Sequence, residues 1–357
     1  MKIAFLHQTM GLTDRGSEIV TGELASALAR HHRVLVLQSG PAKPAAYQTK
    51  RVYPLDIAPH AAPRNFVEKF TFRFGLDPRT RAVAVFTHAA IPAIRAFHPD
   101  IVVAVNGPVQ VRILKHLQGP TLRGRVVVFG HAGIGHDDLG NLHAGPDLFV
   151  ALTPQAEVWA QRHRRSNTKI VYIPNPISTS ILRSIEVKKL QLPHPVVLTV
   201  SALSAYKNVV PIIRALTSTN TSYVLVGDGE QSDQVAGALS QYSGEFRWIK
   251  HVEPSELSAY YQSADVFCFV PEPQEAFGRV YLEAMAAGLP VVASDDPVRR
   301  DLIGEKGIYV APHAPKSILS GIESALSLGK VGYASELRRY SLASVVKKVE
   351  KEFHALI

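Results

Sequence analysis

The 357-residue chain has one cysteine, Cys268, set in the apolar run DVFCFV. A disulfide framework is thereby excluded, and a reducing compartment is favoured. Long hydrophobic runs are also missing. The N-terminal MKIAFLHQTM is apolar for only a few residues before it turns polar, which reads as a first buried strand rather than a signal peptide or a membrane span. The sequence holds no short-period repeat, no low-complexity tract and no Walker phosphate loop. No complete G-x-G-x-x-G follows the first strand either, which weakens a dehydrogenase reading. Charged residues make up only 19% against 46% hydrophobic, the balance of a globular protein rather than a disordered one.

The charge that is present is uneven. Residues 1–175 hold 21 Lys and Arg against 11 Asp and Glu, a balance of +10, whereas residues 176–357 hold 18 against 19, a balance of −1. Nucleic acid, an anionic membrane surface or a phosphate-bearing substrate would suit the field of the first half, as would a charge serving solubility alone.

The length fits two domains of about 150 residues each. Short β-rich apolar runs alternate with amphipathic ones: KIAFLH, SEIVTGELASALARH, RVLVLQ, then IVVAVN, RVVVFG, LFVAL and KIVYIP. The second half repeats the alternation with PVVLTVS, YVLVGDG, FRWIKHV, DVFCFV and LPVVAS. Strands apolar throughout are covered on both faces, and strict alternation with helices implies a parallel, doubly wound sheet, here twice. The boundary is expected near PNPIS, residues 174–178, where two prolines interrupt the pattern. Open sheets of this kind bind ligands beyond the carboxyl ends of their strands, so two set face to face would create one deep cleft.

The stretch PEPQEAFGRVYLEAMAAGLPVVAS, from Pro271 to Ser294, carries Glu275 and Glu283 in an apolar setting. On one continuous helix, residues eight apart differ by roughly 80° and about 12 Å, so the two carboxylates would converge poorly. Glu275 is therefore expected in the loop after DVFCFV, with a helix starting near Phe277 or Gly278 and Glu283 about a turn and a half inside it. The first backbone N–H groups, at Gly278, Arg279 and Val280, would then attract phosphate, and the carboxylates would accept hydrogen bonds from sugar hydroxyls. A helix cap for Glu275 and a solvated face for Glu283 would explain the same pattern.

The run EAFGRVYLEAMAAGLPVVASDDPVRRDLIGEKG resembles the nucleotide-sugar motif of retaining glycosyltransferase family 4, whose members have the GT-B fold of two facing Rossmann-like domains. PVVLTVSALSAYKNVVPIIRAL resembles the family's first C-terminal strand and donor-phosphate loop, and VLVGDGEQ its next strand and turn. HVEPSELSAYYQSADVFCFVP resembles the base-contacting loop with its helix and strand, while KIVYIPNPIS resembles the stretch before the interdomain linker. These segments cover most of residues 169–311 in the family's order.

The resemblance implies that Glu275 contacts the donor sugar, Glu283 the ribose, and Lys207 the diphosphate as it leaves. Gly278, Phe277, Arg279, Ala276 and Val252 are implied as further donor-binding positions. Where the family usually has an arginine, five residues before the lysine, this chain has Ala202. Arginine offers a planar fork that lysine cannot reproduce, so Arg279 or Arg15 would have to substitute.

In the first half, MGLTDRGSEI resembles the family's Gly-rich loop, with Arg15 at a position where a second glycine is common and Gly16 left to let backbone N–H groups come close. His131, after RVVVF, sits where the family often has a histidine facing the donor sugar; a hydrogen-bonded histidine at a strand end is the alternative. His131, His136, Asp137, Asp138 and His143 match no closed zinc spacing, and GDGE at 227–230 lacks the Asp-x-Asp of the other sugar-transfer architecture, so no metal site and no cofactor are expected. The segment RNFVEKFTFRFGLDPRTR, residues 64–81, interleaves Phe66, Phe70, Phe72 and Phe74 with five cations. Such a segment could hold an acceptor, rest at a membrane interface or form core. Single-stranded nucleic acid would use similar chemistry, but no binding module surrounds the segment, so nucleic acid is not an expected partner.

The expectation is an α/β protein of GT-B architecture. Its N-terminal acceptor-side domain spans residues 1–176, its C-terminal nucleotide-sugar domain 177–339, and a terminal helix over 340–357 crosses back. In SLASVVKKVEKEFHALI, Leu342, Val345, Val346, Val349, Phe353 and Leu356 fall at helical spacing. The implied activity is retaining, metal-independent transfer from a UDP- or GDP-sugar to a glycan, lipid-linked or small-molecule acceptor. It would take place in the cytoplasm or at the inner face of a membrane touched by the basic half. A nucleotide-sugar epimerase of related fold and a sugar-nucleotide-binding protein without turnover are the alternatives.

Overall fold

The structure, a computed structural model, describes residues 1–13, 15–52, 77–119, 122–178, 192–253 and 256–357, without the side chain of His136. The aromatic and basic segment lies outside these residues as far as position 76. The chain forms two compact units, one of Met1–Pro176 with Leu342–Ile357 and one of Ile177–Ser341.

In the first unit the described strands are β1 (Lys2–Leu6), β2 (Arg33–Gln38), β3 (Gln48–Arg51), β4 (Ile101–Ala104), β5 (Arg125–Phe129), β6 (Leu148–Ala151) and β7 (Lys169–Tyr172), in the order β3-β2-β1-β4-β5-β6-β7. Every pairing is parallel. Helices α1 (Gly16–Leu28), α2 (Pro78–Phe97), α3 (Pro108–Leu117), α4 (His136–His143) and α5 (Pro154–His163) lie between strands. The central strands β4 and β6 are buried at every position, as a sheet covered on both faces requires. β3, of sequence QTKR, is mostly exposed at an edge, which is why apolar patterning gave no sign of it.

The second unit repeats the plan. Its strands β8 (Val196–Val200), β9 (Ser222–Val226), β10 (Phe246–Ile249), β11 (Val266–Phe269), β12 (Val291–Ser294) and β13 (Ile308–Val310) run parallel in the order β10-β9-β8-β11-β12-β13. The helices are α6 (Val209–Leu216), α7 (Ser232–Leu239), α8 (Leu257–Ser263), α9 (Arg279–Ala286), α10 (Pro297–Ile303), α11 (Pro315–Leu328) and α12 (Ala334–Leu337). Val197, Ile212, Ile213, Tyr223, Leu225 and Cys268 belong to this unit's own core.

The last helix, α13 (Leu342–His354), follows the second unit in sequence but belongs to the first. Its buried residues Val345, Val346, Val349 and Phe353 form one stripe, while Leu342 and Leu356 lie at the rim, half-buried. The helix packs on α1. Glu350 lies 3.1 Å from His31 and 3.2 Å from His32, and Lys169 reaches Glu352 at 2.7 Å. The two chain crossings are neighbours, since the Ile177 N–H donates to the Tyr340 carbonyl at 2.8 Å. Among the described residues no helix is long and apolar enough to cross a membrane.

Candidate active site

Strand order in the second unit reverses between β8 and β11, and the loops that leave these two strands open the crevice where such sheets take ligands. After β8 the chain passes through Ser201–Ser204 into a short 3-10 turn, Ala205–Lys207, before α6 begins. After β11 it makes the loop 270–278 and then α9. Lys207 Nζ donates to Glu275 Oε2 across this point, and the two side chains are only 16% and 10% exposed. The Lys207 ammonium lies 4.8 Å from the centre of the Tyr206 ring and 5.6 Å from that of Phe269. Burial opposes its charge, but Glu275 and Tyr206 outweigh burial and hold its pKa above the usual value.

The two loops are tied together by groups that sequence reading did not single out. Asn208, in the left-handed region at φ 57°, donates through Nδ2 to the carbonyls of Val270 at 2.9 Å and Pro312 at 2.7 Å. The Glu272 N–H donates to the Tyr206 carbonyl at 2.7 Å. Arg299 is fully buried beneath the second loop. It donates to the Glu275 carbonyl at 2.8 Å and pairs with Asp296 at 2.8 Å, while Asp296 caps α10 by accepting from the N–H groups of Val298 and Arg299. The available signal was the N-cap pattern of D-P-V-R; nothing local said that the arginine points inward.

Glu275 lies in the loop and α9 starts at Arg279, one residue past the expected Gly278. Gly278 is the N-cap at φ 82°, where a Cβ would come within 2.7 Å of the Tyr281 ring, so glycine is required both by backbone and by space. Glu283 follows a turn and a half later. Its carboxylate accepts from Tyr261 at 2.8 Å and from Arg279, four residues earlier, at 3.3 Å. Arg279 is thus turned along α9 toward Glu283. The Phe277 side chain is buried edge-on against Tyr340, Ala276 is half-buried, and Val252 follows β10, also half-buried. Ala202 is exposed. GDGE forms the turn after β9, where a Cβ on Gly227 would lie 1.9 Å from the Ser201 carbonyl oxygen; the turn after β9 and the loop after β8 approach each other this closely.

In the first unit the expected residues lie in the connections that follow β1 and β5. Gly16 opens α1 and has no atom within 4 Å of where a Cβ would stand; Arg15, its N-cap, is exposed. His131 follows β5 and stacks on Phe129 with centroids 6.0 Å apart. Burial first, then the neighbouring His7, press its pKa down to about 4, so its imidazole is neutral in ordinary buffers. Two further polar residues are buried here. His7 directly follows β1, with Nε2 lacking a partner among the described residues. Glu18 accepts from the hydroxyls of Thr9 at 2.6 Å, Thr13 at 2.8 Å and Ser17 at 2.8 Å. Burial alone would raise the Glu18 pKa, but His7 and the three hydroxyls together bring it below the usual value. Among the described residues no group of three His, Cys, Asp or Glu could hold a metal ion.

Two parallel, doubly wound units, the second with the strand order of a dinucleotide-type sheet, define the GT-B class of α/β protein. Sucrose-phosphate synthase from Thermosynechococcus elongatus has this fold with a TM-score of 0.78 over 99% of this chain and 98% of that one, at 18% identity. The Anabaena protein HepE, solved in complex with UDP-glucose, matches with a TM-score of 0.73 over 99% and 100% at 17% identity. A family model described as Glycosyltransferase Family 4 matches residues 15–181, and one described as Glycosyl transferases group 1 matches 182–341. The chain belongs to glycosyltransferase family 4. It is 34% identical over 139 residues to a phosphatidyl-myo-inositol mannosyltransferase of Mycobacterium leprae, a match covering 36% of each chain. Matches to the curated relatives span about a third of their length.

Proposed function

We propose that the protein is a retaining, metal-independent glycosyltransferase that moves a sugar from a nucleoside diphosphate donor to a glycan, lipid-linked or small-molecule acceptor. The observation that carries this reading is the Lys207–Glu275 pair at the switch point of the second unit, with Gly278 and Glu283 following on α9. A cation and a helix start beside one another suit a diphosphate, and two carboxylates suit hydroxyls of sugar and ribose.

In the proposed reaction Lys207 leaves its partner for the diphosphate, and Glu275, so released, accepts from sugar hydroxyls. Glu283 takes the ribose. The bond from the anomeric carbon to the phosphate oxygen breaks while the acceptor oxygen bonds to the same face. The acceptor proton passes to the departing phosphate oxygen, so no separate base is needed. Fixed positive charge facing that oxygen is the largest contribution of the protein. His131, neutral, donates to or accepts from the sugar.

Binding without turnover is the second reading. The observation in its favour is the missing arginine: Ala202 stands at that position, and Arg279 is directed at Glu283. Incubation with UDP-, GDP- and ADP-sugars, with and without acceptors, followed by detection of free nucleotide, separates the readings. Release that requires an acceptor and yields a product with unchanged anomeric configuration is expected. Tight nucleotide binding with no release from any donor would leave the binding reading standing instead.

A further inference from the structure

The turn that carries His131 rests on a carboxylate that has no part in the reaction described above. Asp138 lies in the first turn of α4, only 2% exposed, and folds back beneath residues 130–133. It accepts a hydrogen bond from Asn141 Nδ2 at 3.1 Å, and the backbone N–H groups of Ala132 and Gly133 lie close enough to favour its charged form. The fit above it is close. A Cβ on Gly130 would stand 3.1 Å from Asp138 Oδ2 and 2.8 Å from the Phe149 ring, so glycine at 130 lets the strand end settle onto the carboxylate. Gly133, at φ 82°, supplies the left-handed step of this turn.

We propose that Asp138 is the positioning residue of the His131 turn, holding the imidazole in place through the Ala132 and Gly133 N–H groups, and that its protonation sets the acid limb of the pH–rate profile. The proposal rests on the reading of His131 as the residue that meets the donor sugar. An ionised carboxylate only accepts, and both oxygens are available to the turn. A protonated one turns one oxygen into a donor, and the turn loses a hold. The structure already contains a place for that proton: Asn141 is 5% exposed, and its Oδ1 meets no donor among the described residues, so rotation of the amide presents an acceptor to a protonated Asp138. The two protonation states therefore each have a hydrogen-bonding arrangement, one tightening the turn and one releasing it.

The surroundings favour a change near neutrality. Burial raises the Asp138 pKa, Asp137 raises it further, and Asn141 with the two N–H groups offsets part of this, leaving it at about 7. Arg79 of α2 interacts with Asp137. His131, held near 4 by burial and His7, does not titrate in this range. His136 opens the same helix, so a His136→Gln variant is included to separate its titration.

The test combines pH–rate profiles from pH 5 to 9 with histidine-ring NMR on the whole protein, the His131 signals being assigned by their loss in His131→Ala. In wild type and in His136→Gln the rate is expected to fall about tenfold per unit below pH 7, while free-nucleotide affinity holds. The His131 ring nitrogens should shift with the same midpoint yet keep the values of a neutral ring. In Asp138→Asn the limb and the NMR transition should vanish, with the rate lowered tenfold or more. Asn141→Leu removes the amide that steadies the charged form and should move the midpoint to higher pH, which keeps the proposal testable if Asp138→Asn does not fold. A His131 signal that ignores pH between 6 and 8, or an acid limb unchanged in Asp138→Asn, overturns it. If no donor is turned over by wild type, the function reading fails by itself, and the NMR transition still decides whether Asp138 governs the turn.

Discussion

Replacing Lys207 by methionine keeps an apolar stem of similar length and removes the charge that lies over Tyr206 and Phe269. It leaves the Glu275 carboxylate, 10% exposed, without its cation. Removing one member of a fully buried pair costs about 3–5 kcal/mol, and an exposed pair contributes about 0–1. With 16% and 10% of the side chains open to water, the expected loss lies between, at about 2–3 kcal/mol. Glu275→Gln alone strands the lysine, which can swing to solvent, and should cost less. The double variant should recover about 1–2 kcal/mol relative to the sum of the singles. Urea unfolding of the four proteins measures this directly. Additivity within about 0.5 kcal/mol would mean that the pair does not form in solution, and the reasoning about the switch point would fail with it. The sign of the pH effect is also fixed. Because the folded protein raises the Lys207 pKa above 10.5, the pair's contribution is complete below that pH and is lost as pH rises through the raised value. Nucleotide affinity should drop about ten- to a hundredfold in Lys207→Met, the effect of one charged hydrogen bond.

Glu283→Ala should weaken free-nucleotide binding about ten- to a hundredfold while Glu275→Ala mainly slows transfer; calorimetric titration with the nucleotide distinguishes them. Turnover should survive EDTA, and loss of activity restored by a divalent cation would point to a metal after all. Phe353→Ala, at a residue with no exposure, should cost about 3–5 kcal/mol in a melt, whereas a loss under about 1 would place the side chain at a loose surface.

The alternation of strands and helices could be read from sequence because interior parallel strands are apolar on both faces: IVVA of β4 and VFCF of β11 signal burial at every position. β3 and β13 did not, since QTKR is an exposed edge and IYV is short and half-covered. The loop position of Glu275 followed from helix geometry, and a family resemblance set Lys207 and Glu275 on one donor, but their direct pairing was not anticipated. The supporting groups were not legible. Asn208 bonds to carbonyls 62 and 104 residues away, and Arg299 to one 24 residues back, so no local spacing could have announced them. Asp138 was seen only as a member of a histidine-rich loop; its burial, which decides its chemistry, depends on Phe149 and on a turn folded over it.

The return of α13 to the first unit has a consequence for how the protein is made. The first unit is encoded in two pieces and the second in one uninterrupted piece between them. On the ribosome α13 is made only after the whole of the second unit, Ile177–Ser341. The bed that receives Val345, Val349 and Phe353 meanwhile stands open, for roughly ten to thirty seconds at about 5–20 residues per second. The half made first is therefore the one that waits for its last piece, and a chain cut short before Leu342 would carry a whole second unit beside an incomplete first one.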